Sequence, residues 1–287
     1  MQLARRSLLT TGAAAFVAPL FELARASGRG ASSPDSRPWF PLGIQSYSLR
    51  HFDAQGALER AQALGLNYIE FYPGPQLPPD SDTAALAEFK KSARRHDLAL
   101  SAFGVVPFSG DRAANRRFFE LANVLNIRNL TADPAPDSFE SLDELVAEFG
   151  IRVAIHNHGP GHRYDKIADV AKAVADHHPW IGACVDTGHF IRSGEDPVQA
   201  VRDLGPRVFG VHLKDFAEEQ ARTKGVLLGA GHLDVKGLLR GLDAIDFPTD
   251  GALSIEYEEQ PEDPMADLER CVAIATEAAR AVVADGG

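Results

Sequence analysis

The sequence predicts a single-domain α/β fold, a (β/α)8 TIM barrel, and three observations lead there. From Trp39 onward, short apolar runs alternate with longer amphipathic ones. The alternation continues through eight strand–helix units, and parallel strands need such a crossover element between them. The units occupy roughly 250 residues, the usual length of a closed barrel of this kind. An open doubly wound sheet built from the same units is the alternative, because periodicity alone does not show closure.

Leu42–Tyr47 forms the first strand, and a helical pattern follows over Asp53–Leu64. Tyr68–Tyr72 is the second, with a helix over Thr83–His96. Leu98–Phe103 opens the third unit, whose helix covers Arg112–Leu125. Ile127–Thr131 and a helix over Ser138–Phe149 make the fourth. Strands five and six, Arg152–Asn157 and Ile181–Asp186, flank a helix over Tyr164–His177. Val208–Leu213 is the seventh strand, followed by a helix over Val235–Ala244. Ala252–Tyr257 is the eighth, closed by a long helix over Pro264–Ala284. No G-x-G-x-x-G fingerprint follows the first strand, which argues against nucleotide binding.

The first 26 residues read as an export signal. Arg5-Arg6 precede a short apolar run over Gly12–Phe21, and Ala24-Arg25-Ala26 closes it with a small-x-small site. That order is the shape of a twin-arginine signal, so the twin-arginine machinery is an expected partner and the periplasm or another exported location the expected destination. Ser27–Pro38 is rich in Gly, Ser and Pro and reads as a linker, leaving 39–287 as the barrel. The apolar run is shorter than the ~20 residues a membrane span needs, and no membrane association is expected after the signal is removed. Removing three arginines and one glutamate with the signal takes the net charge from −11 to −13. Such an acidic chain repels phosphodiester backbones, so nucleic acid is not an expected partner. Cys184 and Cys271 do not form a disulfide framework. A homo-oligomer is compatible with the sequence, which sets no oligomeric state.

Chemistry in such a barrel gathers at the carboxyl ends of the strands. Strand five ends His156-Asn157-His158, strand six Asp186-Thr187-Gly188-His189, strand seven His212-Leu213-Lys214-Asp215 and strand eight Glu256-Tyr257-Glu258. Side chains two apart on a strand share a face. Two places before His156, Asp186, His212 and Glu256 stand Ala154, Cys184, Gly210 and Ser254, all small. The residues between, Ile155, Val185, Val211 and Ile255, are branched and apolar. The pattern points His156, Asp186, His212 and Glu256 together into the mouth as ligands of one divalent metal. Two imidazoles and two carboxylates suit manganese, zinc, cobalt or iron better than calcium. Phe103, Phe108 and Phe216 near the mouth either stack on a substrate ring or fill core.

The stretch from Trp39 to Gly287 resembles the sugar phosphate isomerase/epimerase family, within the xylose isomerase-like TIM barrel superfamily that also holds endonuclease IV. The matching pieces are Gly65-Leu66-Asn67-Tyr68-Ile69-Glu70, Ala154-Ile155-His156-Asn157-His158, Asp186-Thr187-Gly188-His189, His212-Leu213-Lys214-Asp215, Gly229-Ala230-Gly231 and Ser254-Ile255-Glu256. The resemblance implies one metal at the ends of strands five to eight, with substrate contacts from His189 and Lys214. Ketose epimerases of this family carry Glu at the strand-five position, where two metal-bound glutamates serve as acid and base. Here His156 stands in that place, and a metal-bound neutral imidazole is a poorer base than a carboxylate.

The resemblance implies deprotonation of a carbon next to a carbonyl, with the metal as Lewis acid. Glu256 is the first choice for the base, with His158, His189 and Glu258 as alternatives for proton delivery. Lys214 either stabilises an oxyanion or is a surface lysine. Glu70 contacts a sugar hydroxyl or orients a ligand, and Glu258 is a further substrate contact. Isomerisation or epimerisation of an unphosphorylated sugar or keto-sugar is the leading expectation. β-Elimination from a keto-glycoside is the second, and a non-catalytic sugar-binding barrel the third. A nuclease with several zinc ions fits neither the ligand count nor the charge.

Overall fold

The computed structural model describes residues 40–285. Both the export-signal and the linker expectations lie outside these residues.

Eight parallel strands close into a barrel: β1 (Leu42–Gln45), β2 (Tyr68–Phe71), β3 (Ala99–Phe108), β4 (Asn129–Pro134), β5 (Arg152–His156), β6 (Ile181–Asp186), β7 (Val208–Leu213) and β10 (Ala252–Ile255). Closure runs β1 to β10 on one side and β1 to β2 on the other, with Gly43 opposite both Ser254 and Tyr68. The open sheet is therefore excluded. A two-stranded antiparallel ribbon, β8 (Asp215–Phe216) with β9 (Gly225–Val226), sits beyond β7.

The helices are α1 (Ala54–Ala63), α2 (Thr83–Arg95), α3 (Arg112–Leu125), α4 (Phe139–Phe149), α5 (Ile167–Val174), α6 (Thr187–Arg192), α7 (Pro197–Leu204), α8 (Val235–Ala244) and α9 (Met265–Asp285). Aspartate side chains start several of them: Asp53, Asp82 and Asp234 each accept a hydrogen bond from the backbone three residues on. That satisfies a donor the helix itself leaves unpaired. Left-handed Asn126 and Gly150 end α3 and α4. The sequence assigned no helix between strands six and seven, where the chain forms α6 and α7. It ran β3 five residues short and made α5 too long. Of the extra strand residues, Val106–Phe108 pair with β4 after a register shift, which local alternation does not reveal.

The two faces of the strands separate as the sequence pattern requires. Ile155, Val185, Val211 and Ile255 are buried in the main core between barrel and helices. Ala154 and Cys184 pack inside the barrel with Phe209, apart from that core. Each large apolar side chain fully buried in the main core contributes roughly 1.5–3 kcal/mol. The inner layer supports little but the polar groups above it. Cys184 and Cys271 are both buried and unbridged. Among the described residues, no helix is long and apolar enough to cross a membrane.

Candidate metal centre and active site

β5, β6 and β7 carry His156, Asp186 and His212 at or next to their carboxyl ends, and Glu256 directly follows β10. The barrel brings one donor atom from each within 4.8 Å of the others. His156 Nε2 lies 3.1 Å from His212 Nδ1 and 3.4 Å from Asp186 Oδ2. Glu256 Oε2 lies 3.1 Å from His212 Nδ1. All four side chains are buried. Asp186 Oδ2 and Glu256 Oε2 are shielded from solvent without a well-directed hydrogen bond. Lys214 Nζ lies 3.2 and 2.9 Å from these two oxygens and meets part of their charge, and the imidazole nitrogens of His156 and His212 beside them complete a donor set. Two nitrogens and two oxygens suit a borderline divalent ion such as zinc or manganese, so the residues present fit one metal.

Neighbouring groups orient each donor. Asp186 Oδ1 caps α6 by accepting from His189 N at 2.7 Å, which leaves Oδ2 for the cluster. Asn157 holds the Asp186 backbone on both sides, donating to its carbonyl and accepting from its amide. Glu70, fully buried at the end of β2, accepts from His212 Nε2 at 3.1 Å, from Ser254 Oγ at 2.8 Å and from Thr131 Oγ1 at 2.6 Å. With its Nε2 proton held by Glu70, His212 would offer Nδ1 to a metal, which would displace the ring's second proton. Glu70 is thus hydrogen-bonded to His212 and is not among the residues lining the cavity described below.

Burial works against ionising Asp186, Glu256 and Glu70, but the groups beside them win. His189, Lys214 and His156 hold Asp186 well below the usual carboxylate range, Lys214 and His212 do the same for Glu256, and His212 lowers Glu70. His212 in turn stands well above the ordinary imidazole value despite burial, raised by Cys184, Glu70 and Glu256.

Lys214 is no surface lysine. Its Nζ lies 3.2 Å from Asp186 Oδ2, 2.9 Å from Glu256 Oε2 and 2.6 Å from Glu258 Oε1, and these carboxylates hold it charged against the cost of burial. Thr187 Oγ1 fixes its backbone, donating to the Lys214 carbonyl at 2.6 Å and accepting from its amide at 2.9 Å. Gly188 makes room for it: a Cβ there would meet Lys214 Cγ and the Phe216 ring at 2.7 Å.

His156, His158, His189, Lys214, Glu256 and Glu258 all line one cavity of about 290 Å³. Burial and neighbouring histidines push His158 down to about 3, and burial with Lys214 does the same to His189, so both rings are neutral near pH 7. Arg192 Nη1 lies 3.3 Å from His189 Nδ1. A guanidinium only donates, so the neutral His189 ring carries its proton on Nε2.

Phe103 and Phe108 are buried in the core and Phe216 packs against it, so none of the three lines the cavity. Tyr47 and Tyr72 line it instead, edge to face at 5.3 Å. Sequence reasoning missed both, because a polar-ended aromatic after a strand carries no periodic signal. It also missed Asn157 and Thr187, whose positions inside the matching motifs were a usable hint. A further group, Asp133, His158 and His162, has donor atoms within 4.8 Å of one another. The His158-x3-His162 spacing was the signal for it.

A family model described as xylose isomerase-like TIM barrel matches residues 58–273, most of the barrel. The chain belongs to this family. Within it, an inosose dehydratase from Clostridium botulinum is 29% identical over 141 residues, which are 44% of this chain and 46% of that protein. The chain thus matches less than half the length of that curated relative. The crystal structure of an uncharacterized protein from Parabacteroides distasonis is 26% identical with a TM-score of 0.65, covering 83% of this chain and 99% of its own. The IolI protein, solved with a bound zinc atom, is 18% identical with a TM-score of 0.65 over 86% of this chain and 97% of its own, a likeness of fold.

Proposed function

We propose that this chain is an exported, metal-dependent carbohydrate enzyme that removes a proton from the carbon next to a carbonyl and then eliminates a β-substituent. It would thus act as a lyase on an unphosphorylated keto-sugar or keto-glycoside. The layout of acid and base carries this reading. Of the two carboxylates among the four clustered donors, only Glu256 lines the cavity, beside a charged Lys214 that Glu258 pairs, while the strand-five position holds an imidazole, His156. Elimination needs one base and one acid, whereas epimerisation by paired glutamates needs a second carboxylate there. The identity with an inosose dehydratase supports the same direction.

A divalent ion held by His156, Asp186, His212 and Glu256 would supply Lewis acidity at the substrate carbonyl. Glu256 takes the proton from carbon, and the electron pair left behind expels the β-substituent. Lys214, held charged, donates a hydrogen bond to the oxygen that gains negative charge, and the proton taken up by Glu256 passes on to the leaving group. His189 donates a hydrogen bond from Nε2 to a substrate hydroxyl, and Glu258 keeps Lys214 charged. Isomerisation or epimerisation is the second reading, favoured by His158, a neutral imidazole on the same cavity that is available as a second base.

Incubating the metal-loaded protein with free sugars, keto-sugars and keto-glycosides in deuterated water tests this. Exchange next to the carbonyl together with an unsaturated product is expected. Exchange with only an isomer or epimer formed would favour the second reading, and no exchange with metal bound would leave a sugar-binding barrel. The exported location rests on the sequence of the first 26 residues. Protein recovered from its native host should begin near Ser27 and lie outside the cytoplasm, and full-length protein in the cytosol would refute it.

A further inference from the structure

Beside the four-donor centre lies a second group of metal-ligating side chains that the reaction above does not use. Asp133 sits near the end of β4, and His158 and His162 come from the loop after β5. The loop is folded to bring them together. His162 N donates to Gly159 O at 3.2 Å, closing a turn over Gly159-Pro160-Gly161. His158 N donates to Tyr164 O at 3.2 Å, and Tyr164 Oη donates to Pro134 O at 2.6 Å, which pins the loop against β4. The two rings then lie 4.3 Å apart, with His162 Nε2 3.3 Å from Asp133 Oδ2.

We propose that Asp133, His158 and His162 form a second site for a zinc-class divalent cation, adjoining the first. One donor atom from each lies within 4.8 Å of the other two. His158 Nδ1 is buried without a hydrogen bond. Two histidines four residues apart with one carboxylate match the donor types and spacing of zinc sites, and three protein ligands leave coordination open for water or a substrate oxygen. The competing arrangement is a plain ion pair, since Arg163 Nε lies 3.6 Å from Asp133 Oδ1. That contact is long, lies on the oxygen turned from His162, and involves a side chain 43% exposed. It neutralises Asp133 only in part and gives His158 no partner. His158 also lines the main cavity, and its ring lies 4.7 Å from that of His156, so a cation here would share the cavity with the first.

This site does not depend on which reaction the first centre performs, and its test needs no turnover. Metal-free, tag-free protein is loaded with zinc, freed of excess and measured for zinc per chain. Two equivalents are expected for the wild type and one each for Asp133→Ala and His162→Gln. His156→Ala should lose the first ion and keep the one removed by His162→Gln. With cobalt in place of zinc, His162→Gln should remove part of the visible absorption and leave the remainder. A single equivalent in the wild type overturns the proposal without reference to any variant's folding. Two equivalents undiminished in both Asp133→Ala and His162→Gln overturn it as well, by placing the second ion elsewhere.

Discussion

Glu70 Oε2 accepts a hydrogen bond from His212 Nε2 at 3.1 Å, and this contact selects the nitrogen that faces the other three donors. Glu70 comes from β2, on the far side of the barrel from β7, so the contact spans the interior. Ser254 and Thr131 occupy its other hydrogen-bonding positions and prevent it from turning away.

Glu70→Gln should therefore weaken metal binding without removing a ligand. An amide nitrogen in that place cannot accept from His212, and outer partners of this kind are worth about 10–100-fold in metal affinity. Competitive chelator titration reads the change. Affinity equal to wild type would show that Glu70 does not orient His212.

Glu256→Gln keeps an oxygen near the metal while removing the proton acceptor. Metal content should fall only partly, whereas solvent exchange next to the carbonyl falls by ~10²–10⁴-fold, as for loss of a general base. Undiminished exchange with metal bound would move the base to His158, and His158→Asn would then abolish exchange. His156→Glu is the complement: it should introduce some epimerisation and leave elimination no faster.

Gly188→Ala forces a methyl group against Lys214 and Phe216. Overpacking of this kind costs about 1–3 kcal/mol, read as a lower denaturant midpoint. Lys214 must also shift from its three carboxylates, so turnover should fall while bound metal at the first centre stays near one per site. Wild-type turnover would mean that Lys214 is not held where the chemistry needs it.

The metal-free protein should lose stability as pH falls from 6.5 toward 4.5. His158 and His189 are held down at about 3, so in this window the unfolded chain takes up protons that the folded one refuses. Stability is greatest above pH 6.5 and declines by at most about 1.4 kcal/mol per group per pH unit. His212, raised in the fold, works the opposite way near pH 6.5, where the unfolded ring is only half protonated, and adds no slope toward pH 4.5. The lowered carboxylates Asp186, Glu256 and Glu70 begin to matter only near and below their ordinary values. Urea midpoints across the window should flatten in His158→Asn and His189→Asn. An unchanged slope in both would show that the rings are not kept neutral.

Much of this protein was legible before folding was considered. Strand and helix positions follow from local periodicity, because the environment of each strand is the same repeated layer of helix outside and small residues within. Ala154, Cys184, Gly210 and Ser254 placed His156, Asp186, His212 and Glu256 on one face, since side-chain direction along a strand is a local, two-residue property. The barrel's curvature decided what depends on separation across its interior. Glu70 reaches His212 across 142 positions of sequence, Lys214 lies buried among three carboxylates, and Tyr47 and Tyr72 line the cavity in place of the phenylalanines. The pairing of Asp133 with His162 is of the same kind, set by a turn that folds one loop back over another strand. Such contacts join residues whose neighbours in the chain point elsewhere, so no window of sequence carries them, and only closure of the sheet brings them within bonding distance.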